Sequence, residues 1–131
     1  MNSHKSSGFT MVELLITVAI VAILMSIAIP SVQASLRESR RQDARHLLQL
    51  NAQRLRRCFT LEGVYNGSCV LRTESTDGYY SLTSNVGIAT FDMTATPIAS
   101  KSQSKDIQCL ALTYNHLGDE GATGSLGSDC W

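Results

Sequence analysis

One carboxylate stands near the beginning of a long apolar run. Glu13 is the only ionisable residue between Phe9 and Ile29. A charged group in apolar surroundings is costly, and ionisable residues in such positions are usually functional. A helix that begins here would place Glu13 in its first turn, where negative charge meets the partial positive charge of the helix N-terminus. We therefore expect the Glu13 carboxylate to have a functional role.

The run that contains Glu13 is long enough to cross a membrane. Residues 9–29 form a segment of 21 residues, which as a helix would be about 31 Å long, against a hydrocarbon core of about 30 Å. An ordinary secretory signal has a shorter apolar region, followed by a small-residue cleavage site. Here Pro30 follows instead, so we expect the segment to stay on the mature chain. Pro30 lacks an amide hydrogen, which predicts a helix kink.

The residues in front of the run complete a motif. A short polar leader with Lys5 ends in Gly8, Phe9 follows, and Glu13 stands four residues later. This arrangement resembles the class III signal of type IV prepilins and pseudopilins. The resemblance implies cleavage between Gly8 and Phe9 by a prepilin peptidase and methylation of the new Phe9 amine. It also implies that Glu13 neutralises the amine of a neighbouring subunit and sets the register of assembly. The alternative is a glutamate beside its own amine at the membrane interface.

Four cysteines follow the apolar segment: Cys58, Cys69, Cys109 and Cys130. An even number indicates disulfides in an oxidising compartment, which would stabilise a small soluble domain. Three pairings are open. Proximity favours Cys58–Cys69, which leaves Cys109–Cys130, and this second pair resembles the disulfide-closed C-terminal region of type IV pilins. Neither spacing fits a zinc site, and the sequence indicates no metal and no cofactor.

The chain changes character along its length. Residues 1–8 are the predicted leader and residues 9–29 the hydrophobic helix. Residues 30–60 carry apolar side chains at helical spacing and predict an amphipathic continuation of that helix, which we expect to end at Gly63. Residues 61–131 predict a β-rich head linked by disulfides.

The head has the pattern of an antiparallel meander. Runs rich in Thr, Tyr and aliphatic residues lie within 78–83, 88–95 and 107–114 and predict strands, with turn-forming residues between them. The Gly-rich tail 118–127 is expected to be irregular. One long helix whose C-terminal half packs on a small sheet is an α+β architecture. This is also the type IV pilin fold, to which the whole chain is similar.

Charged residues are unevenly placed along the chain. Residues 31–57 carry seven arginines against two acids, a net charge of +5, and residues 58–131 carry three basic and eight acidic residues, a net charge of −5. Arg37, Arg41 and Arg45 recur every four residues and predict one basic stripe. The stripe would attract the acidic head of a stacked subunit at modest strength. The alternatives are DNA phosphates or a solvated helix face without a partner.

The arginines after the apolar segment conflict with its expected orientation. Lys5 alone precedes the segment, whereas four arginines follow within about sixteen residues: Arg37, Arg40, Arg41 and Arg45. By the positive-inside rule this count would place the C-terminal part in the cytoplasm. The leader and the cysteines both favour export, so we expect the head in the periplasm.

The predicted function is that of a structural subunit of a type IV pilus, with a minor pilin favoured over a major one. The resemblance implies a single-pass prepilin of the inner membrane that assembles with other pilins, through an inner-membrane platform, into a surface filament. Such a subunit supports pilus assembly, twitching motility, adhesion or DNA uptake. The first alternative is a pseudopilin of a type II secretion system. The second is a DNA-receptor pilin for natural transformation, which the acidic head disfavours. The sequence has no motif that indicates an enzyme.

Overall fold

The computed structural model describes residues 8–131, so most of the predicted leader lies outside the described residues. Its first element is the helix α1, Met11–Glu62, which is 52 residues long and contains Pro30. The chain forms two compact units, divided in sequence between Ser35 and Leu36. The first unit holds the apolar part of α1. The second holds the rest of the helix and everything that follows, and is called the head unit below.

The head unit forms because α1 has one apolar face. Its apolar residues recur at helical spacing and are all buried against the sheet: Ala44, Leu47, Leu48, Ala52 and Leu55. The helix ends at Glu62, and Gly63 follows with a φ of 75° while its amide donates to the Phe59 carbonyl at 2.9 Å. Glycine adopts this left-handed conformation without steric penalty. The structure thus confirms Gly63 as the residue that ends the helix.

Four antiparallel strands form one sheet in the order β1-β2-β3-β4, which confirms the predicted meander. They are β1 Tyr80–Val86, β2 Phe91–Pro97, β3 Ala111–Asn115 and β4 Glu120–Thr123. The fourth strand lies in the tail that we expected to be irregular, and that expectation was wrong. β4 is short and contains Gly121, so its own composition does not indicate a strand; pairing with β3 defines it.

Alternation along the strands separates a core face from an outer face. Phe91, Met93 and Ala95 of β2 are buried against α1, together with Tyr80 of β1 and Leu112 of β3. The residues between them point to the other side of the sheet. On that outer face, register partners are mostly hydroxyl-bearing residues: Thr83 pairs with Thr94, and Thr94 with Thr113. The helix therefore covers one face, and a polar face remains open to solvent.

Two disulfides cross-link the head unit. Cys58 in the last turns of α1 bonds to Cys69 in the loop before β1, with Cα atoms 6.1 Å apart. Cys109, just before β3, bonds to Cys130 near the C-terminus, with Cα atoms 5.8 Å apart. Both Cα separations lie within the usual range for disulfides. These are the two pairings that proximity in the sequence favoured.

Two short 3-10 helices complete the head unit. The first, Ser102–Lys105, lies between β2 and β3, and the second, Gly127–Cys130, follows β4. Neither was predicted from the sequence. The first carries polar and basic residues next to α1, and it therefore bears on the surfaces described below.

Candidate assembly and interaction surfaces

The start of α1 is closed by a capping box. The amide and hydroxyl of Thr10 donate to Glu13 Oε2 at 3.0 and 2.9 Å, and the Glu13 amide donates to Thr10 Oγ1 at 3.3 Å. This reciprocal pattern satisfies amides that have no partner within a helix. The charge of Glu13 stands out in the sequence, whereas its capping role was not predicted. The Thr-x-x-Glu spacing is the signal that would have revealed it.

The first part of α1 carries its apolar side chains on the outside. Its most apolar 18-residue stretch has a mean hydropathy of 2.7, and none of that stretch is buried. Large side chains such as Ile16, Leu24 and Ile29 are more than half exposed. By length and composition this helix can cross a membrane or pack among other apolar helices. The described part of the chain does not cover it.

A buried ion pair joins α1 to the loop between β2 and β3. Arg41 donates from Nε and Nη2 to the two carboxylate oxygens of Asp106 at 2.8 and 2.9 Å. The two side chains are 6% and 0% exposed. The Asp106 carboxylate also accepts from Gln103 Nε2 at 3.0 Å, and Gln103 donates to Tyr80 Oη at 2.9 Å. This bidentate ion pair fixes the loop on the helix.

The titration of this cluster is consistent with a structural role. The hydrogen bond to Asp106 raises the pKa of Arg41 above its ordinary value. Burial acts to raise the pKa of Asp106, but the hydrogen bonds and charge of Arg41 outweigh it, so that pKa lies below its ordinary value. Burial raises the pKa of Tyr80 to about 12. A general acid or base needs a pKa near the working pH, and each of these three groups is held in a single protonation state at neutral pH.

The predicted basic stripe of Arg37, Arg41 and Arg45 is not an exposed surface. Arg41 is buried in the ion pair described above. Arg45 donates from Nε and Nη2 to the Cys130 carbonyl at 2.9 and 2.6 Å, and from Nη2 to Glu38 at 3.0 Å. The prediction of one free stripe was therefore wrong. The physical reason is that this side of α1 packs against loops of its own head unit.

Arg37 of the predicted stripe lies instead with three further basic residues at the start of the head unit, and we call these four the base cluster: Arg37, Arg40, Lys101 and Lys105. Arg40 donates to Ser102 Oγ at 2.8 Å, and its guanidinium carbon lies 4.6 Å from the centre of the Tyr79 ring. Gln103 Nε2 donates to the Arg37 carbonyl at 3.4 Å. These contacts hold the first 3-10 helix beside α1. Among residues 8–131, no member of the base cluster makes an ion pair.

A second basic group lies farther along α1, and we call it the flank cluster: Arg54, Arg57 and Arg72. Asn51 holds the segment of Arg72 beside the helix, because its side chain donates to the Arg72 carbonyl at 3.0 Å and accepts from the Arg72 amide at 2.8 Å. Arg54 donates to the Val70 carbonyl at 3.4 Å. All three arginines are exposed. None of them forms an ion pair within the described part of the chain.

Charge that is separated along the sequence is not separated in space. From Leu36 onward α1 belongs to the same compact unit as the strands. That unit carries ten basic and ten acidic residues, so it is balanced and not acidic. The exposed arginines of α1 are surface residues of the head itself. The prediction of an acidic head was therefore wrong, and the charge of the head does not disfavour DNA.

The turn between β3 and β4 is organised by one asparagine. Asn115 Oδ1 accepts from the amides of Leu117 and Asp119 at 3.0 and 2.9 Å, and its Nδ2 donates to the Asp119 carboxylate at 2.9 Å. An open cavity of about 320 Å³ lies beside this turn, with Asp92 and Glu120 in its lining. Within residues 8–131, no three His, Cys, Asp or Glu residues are grouped to hold a metal ion. The turn's own hydrogen bonds account for its polar residues.

Two solved structures share this architecture. The non-core minor pilin PilV of Neisseria meningitidis aligns with a TM-score of 0.58 at 24% sequence identity, over 69% of this chain and 89% of that chain. A type IV pilin from Shewanella oneidensis aligns with a TM-score of 0.52 at 29% identity, over 64% of this chain and 89% of that chain. An uncovered apolar helix that continues onto a four-stranded antiparallel sheet is thus the type IV pilin fold.

Two family models match consecutive parts of the chain and together cover most of it. The prokaryotic N-terminal methylation motif matches residues 3–29. The model described as "Type IV minor pilin ComP, DNA uptake sequence receptor" matches residues 30–113, which is more than half of the chain. The chain therefore belongs to the ComP family of type IV minor pilins. No curated protein gives a significant match to it.

These matches confirm the predicted fold and the predicted function of a minor pilin. They also separate this chain from the pseudopilin alternative, because the matching family is one of pilus subunits. The methylation motif together with the apolar helix makes this a membrane-anchored pilin. Membership in a pilin family implies assembly with other pilins.

Proposed function

We propose that this chain is a non-enzymatic minor subunit that waits in the inner membrane with its head in the periplasm and enters the filament through α1. Cleavage after Gly8 by a prepilin peptidase, methylation of Phe9 and transfer by an inner-membrane platform belong to the proposal. The observation that carries it is the membrane-length apolar helix, which the described chain leaves uncovered. Transfer from lipid to a filament core exchanges one apolar environment for another, so little desolvation opposes it.

Glu13 is the residue that we propose to set the register. Thr10 holds its carboxylate at the first turn through two hydrogen bonds to the same oxygen, Oε2. Within the described residues, Oε1 accepts no hydrogen bond. The capping box thus fixes the carboxylate in one orientation, in which it receives the Phe9 amine of a neighbouring subunit. Without the carboxylate charge, that amine would remain unpaired in apolar surroundings, which is strongly unfavourable.

The test is the isosteric substitution Glu13→Gln, with Glu62→Gln as its matched control. The Glu62 carboxylate also accepts hydrogen bonds from an amide and a hydroxyl, both of Ser68, but it lies at the far end of α1. The measurement is the amount of subunit in sheared surface filaments relative to the membrane pool, with intact-mass analysis of the N-terminus. We expect E13Q to be cleaved but depleted in filaments by about tenfold or more, as for a loss of ~1.4 kcal/mol. Incorporation of E13Q at the level of E62Q would refute the role of the charge.

DNA binding is a second candidate function, favoured by the description of the matching family as a DNA uptake sequence receptor. We propose the flank cluster as the phosphate contact surface. Its three arginines are exposed, lie on two segments that are hydrogen-bonded to each other, and have no acidic partner within the described residues. Proteins bind duplex DNA largely through its phosphates, and each phosphate contact steepens the dependence of affinity on salt.

Fluorescence anisotropy with a labelled duplex tests this candidate on the full chain in detergent. The variant is Arg54→Gln/Arg57→Gln/Arg72→Gln, and its control is Arg37→Gln/Lys101→Gln/Lys105→Gln, which removes the same number of charges from the base cluster. We expect the flank variant to lose about three units from the slope of log affinity against log salt, while the control keeps its slope. Equal effects of the two variants would show binding by overall charge, and would refute the flank surface.

A further inference from the structure

The base cluster has not yet been given a function, although none of its four cations makes an ion pair within the described residues. Two of the nearby acids are already paired: Asp106 with Arg41, and Glu38 with both Arg41 and Arg45 at 3.0 Å. Asp43, one helical turn after Arg40, is buried and makes no ion pair among the described residues. Four cations against one unpaired carboxylate leave the base cluster with a net positive charge. Lys101 and Lys105 are exposed; Lys101 directly precedes the first 3-10 helix and Lys105 is its last residue.

The position of the cluster in the chain limits how far it can be from a membrane. The hydrophobic segment ends at Ile29, and Arg37 follows eight residues later. Eight residues reach at most about 28 Å when fully extended and about 12 Å as a helix. Gln103 donates to the Arg37 carbonyl, so the loop that carries the two lysines is attached to α1 at this same position. Arg37 therefore cannot lie farther than this reach from the end of the hydrophobic segment for as long as the apolar helix stays in lipid.

We propose that the base cluster docks the head on anionic phospholipid headgroups before the subunit enters the filament. The proposal rests on the membrane-anchored state described under the proposed function. The polar layer on each side of the hydrocarbon core is roughly 5–8 Å thick. A cation near an anionic surface strengthens association roughly fivefold, and the attraction decays within a Debye length of about 8 Å at physiological salt. Docking of this kind holds the head against the bilayer, and entry into the filament then releases it.

The geometry of the cluster suits phosphate groups at a surface. Arg40 lies over the Tyr79 ring and is bonded to Ser102, so its position is fixed. The lysines stand on flexible stems beside it, as point charges that can follow mobile headgroups. The flank cluster lies farther along α1 and is not attached at the position of Arg37. It therefore provides a control with the same chemistry in another place.

The experiment uses the full chain in lipid nanodiscs of phosphatidylcholine alone, or with phosphatidylglycerol added. Hydrogen–deuterium exchange of residues 98–107 is measured by mass spectrometry, because this segment carries both lysines and its amides donate to nearby carbonyls. We expect exchange there to slow at least threefold in the anionic discs, and the protection to disappear in 0.5 M salt. The variant Lys101→Gln/Lys105→Gln should lose the protection, whereas Arg54→Gln/Arg57→Gln should keep it. Equal exchange of the variants in phosphatidylcholine discs shows that the fold is intact.

The outcomes separate this proposal from the one on which it rests. A chain that fails to insert into either nanodisc would overturn the membrane-anchored state and, with it, docking. A chain that inserts but exchanges equally in both lipids would overturn docking alone. Protection of residues 98–107 by duplex DNA in phosphatidylcholine discs, with none from the anionic lipid, would assign the base cluster to nucleic acid and overturn the lipid proposal.

Discussion

Removal of one partner of the Arg41–Asp106 pair is expected to destabilise the head unit strongly. Removal of the second partner as well should add only a smaller loss in the free energy of unfolding. The variants are Arg41→Met, Asp106→Asn and the double variant. Breaking a buried pair on one side leaves a charge without compensation, at a cost of about 3–5 kcal/mol. Replacement of both partners leaves no such charge. The losses in the free energy of unfolding caused by the two single substitutions should therefore sum to clearly more than the loss in the double variant.

The two single variants should lose different amounts of stability, because the remaining partners of Arg41 and Asp106 differ. With Asp106→Asn, Arg41 keeps Glu38 at 3.0 Å and Gln108 at 3.1 Å, so we expect a loss near the lower limit, about 3 kcal/mol. With Arg41→Met, Asp106 remains fully buried and keeps Gln103 as its one side-chain partner among the described residues, so we expect about 4 kcal/mol or more. A double variant near 4–5 kcal/mol gives a coupling energy of about 2–3 kcal/mol.

The assay is equilibrium urea unfolding of the full chain in detergent, followed by the fluorescence of Trp131. This is the single tryptophan of the chain, and it reports on the head because its Nε1 donates to the Gly121 carbonyl at 2.7 Å. Additive losses within about 0.5 kcal/mol would show that the two charges do not depend on one another. A larger loss for Asp106→Asn than for Arg41→Met would refute the assignment of the remaining partners.

Three further predictions use the same unfolding assay. Since the pKa of Asp106 is lower in the folded than in the unfolded chain, the free energy of unfolding should fall as the pH drops below about 4, and Asp106→Asn should remove that part of the acid sensitivity. Asn51→Leu leaves the Arg72 amide and carbonyl without their side-chain partner and should lower the free energy of unfolding by about 2 kcal/mol, whereas an unchanged value would mean that water replaces both bonds. Cys109→Ala/Cys130→Ala removes the disulfide between residues with a sequence separation of 21 and should lower the free energy of unfolding by about 3 kcal/mol. A loss below ~1 kcal/mol would contradict the chain-entropy account of disulfide stabilisation.

Local patterns in the sequence predicted most of the fold. The apolar run, the helical spacing up to Leu55 and the glycine at residue 63 act over a few neighbouring residues, and so does the alternation within β2. For this reason the helix, its end and three strands were predictable. β4 was not, because a four-residue strand with a central glycine depends on its neighbour in the sheet. The capping box could have been predicted as well, because Thr10 and Glu13 have the spacing of that motif.

The long-range contacts of the head unit could not be derived in this way. Arg41 and Asp106 are 65 residues apart, and Arg45 and the Cys130 carbonyl are 85 residues apart. Nothing in the residues around either arginine indicates which of them will be buried. The two disulfides were the exception, because four cysteines allow few pairings and proximity ranks them. A charged residue has no comparable restriction on its partners.

The arginines of α1 show why spacing alone does not assign a surface. Arg37, Arg41 and Arg45 share one helix face by sequence, yet Arg41 is buried, Arg45 binds a carbonyl and Glu38, and Arg37 joins the base cluster. What distinguishes them is the segment that the rest of the chain places opposite each one. An interaction surface must therefore be defined by the cations that remain unpaired after folding. The base and flank clusters meet that criterion within the described residues, and they differ in distance from the membrane segment. Because each serves as the control for the other, the nanodisc and anisotropy experiments together separate position from charge.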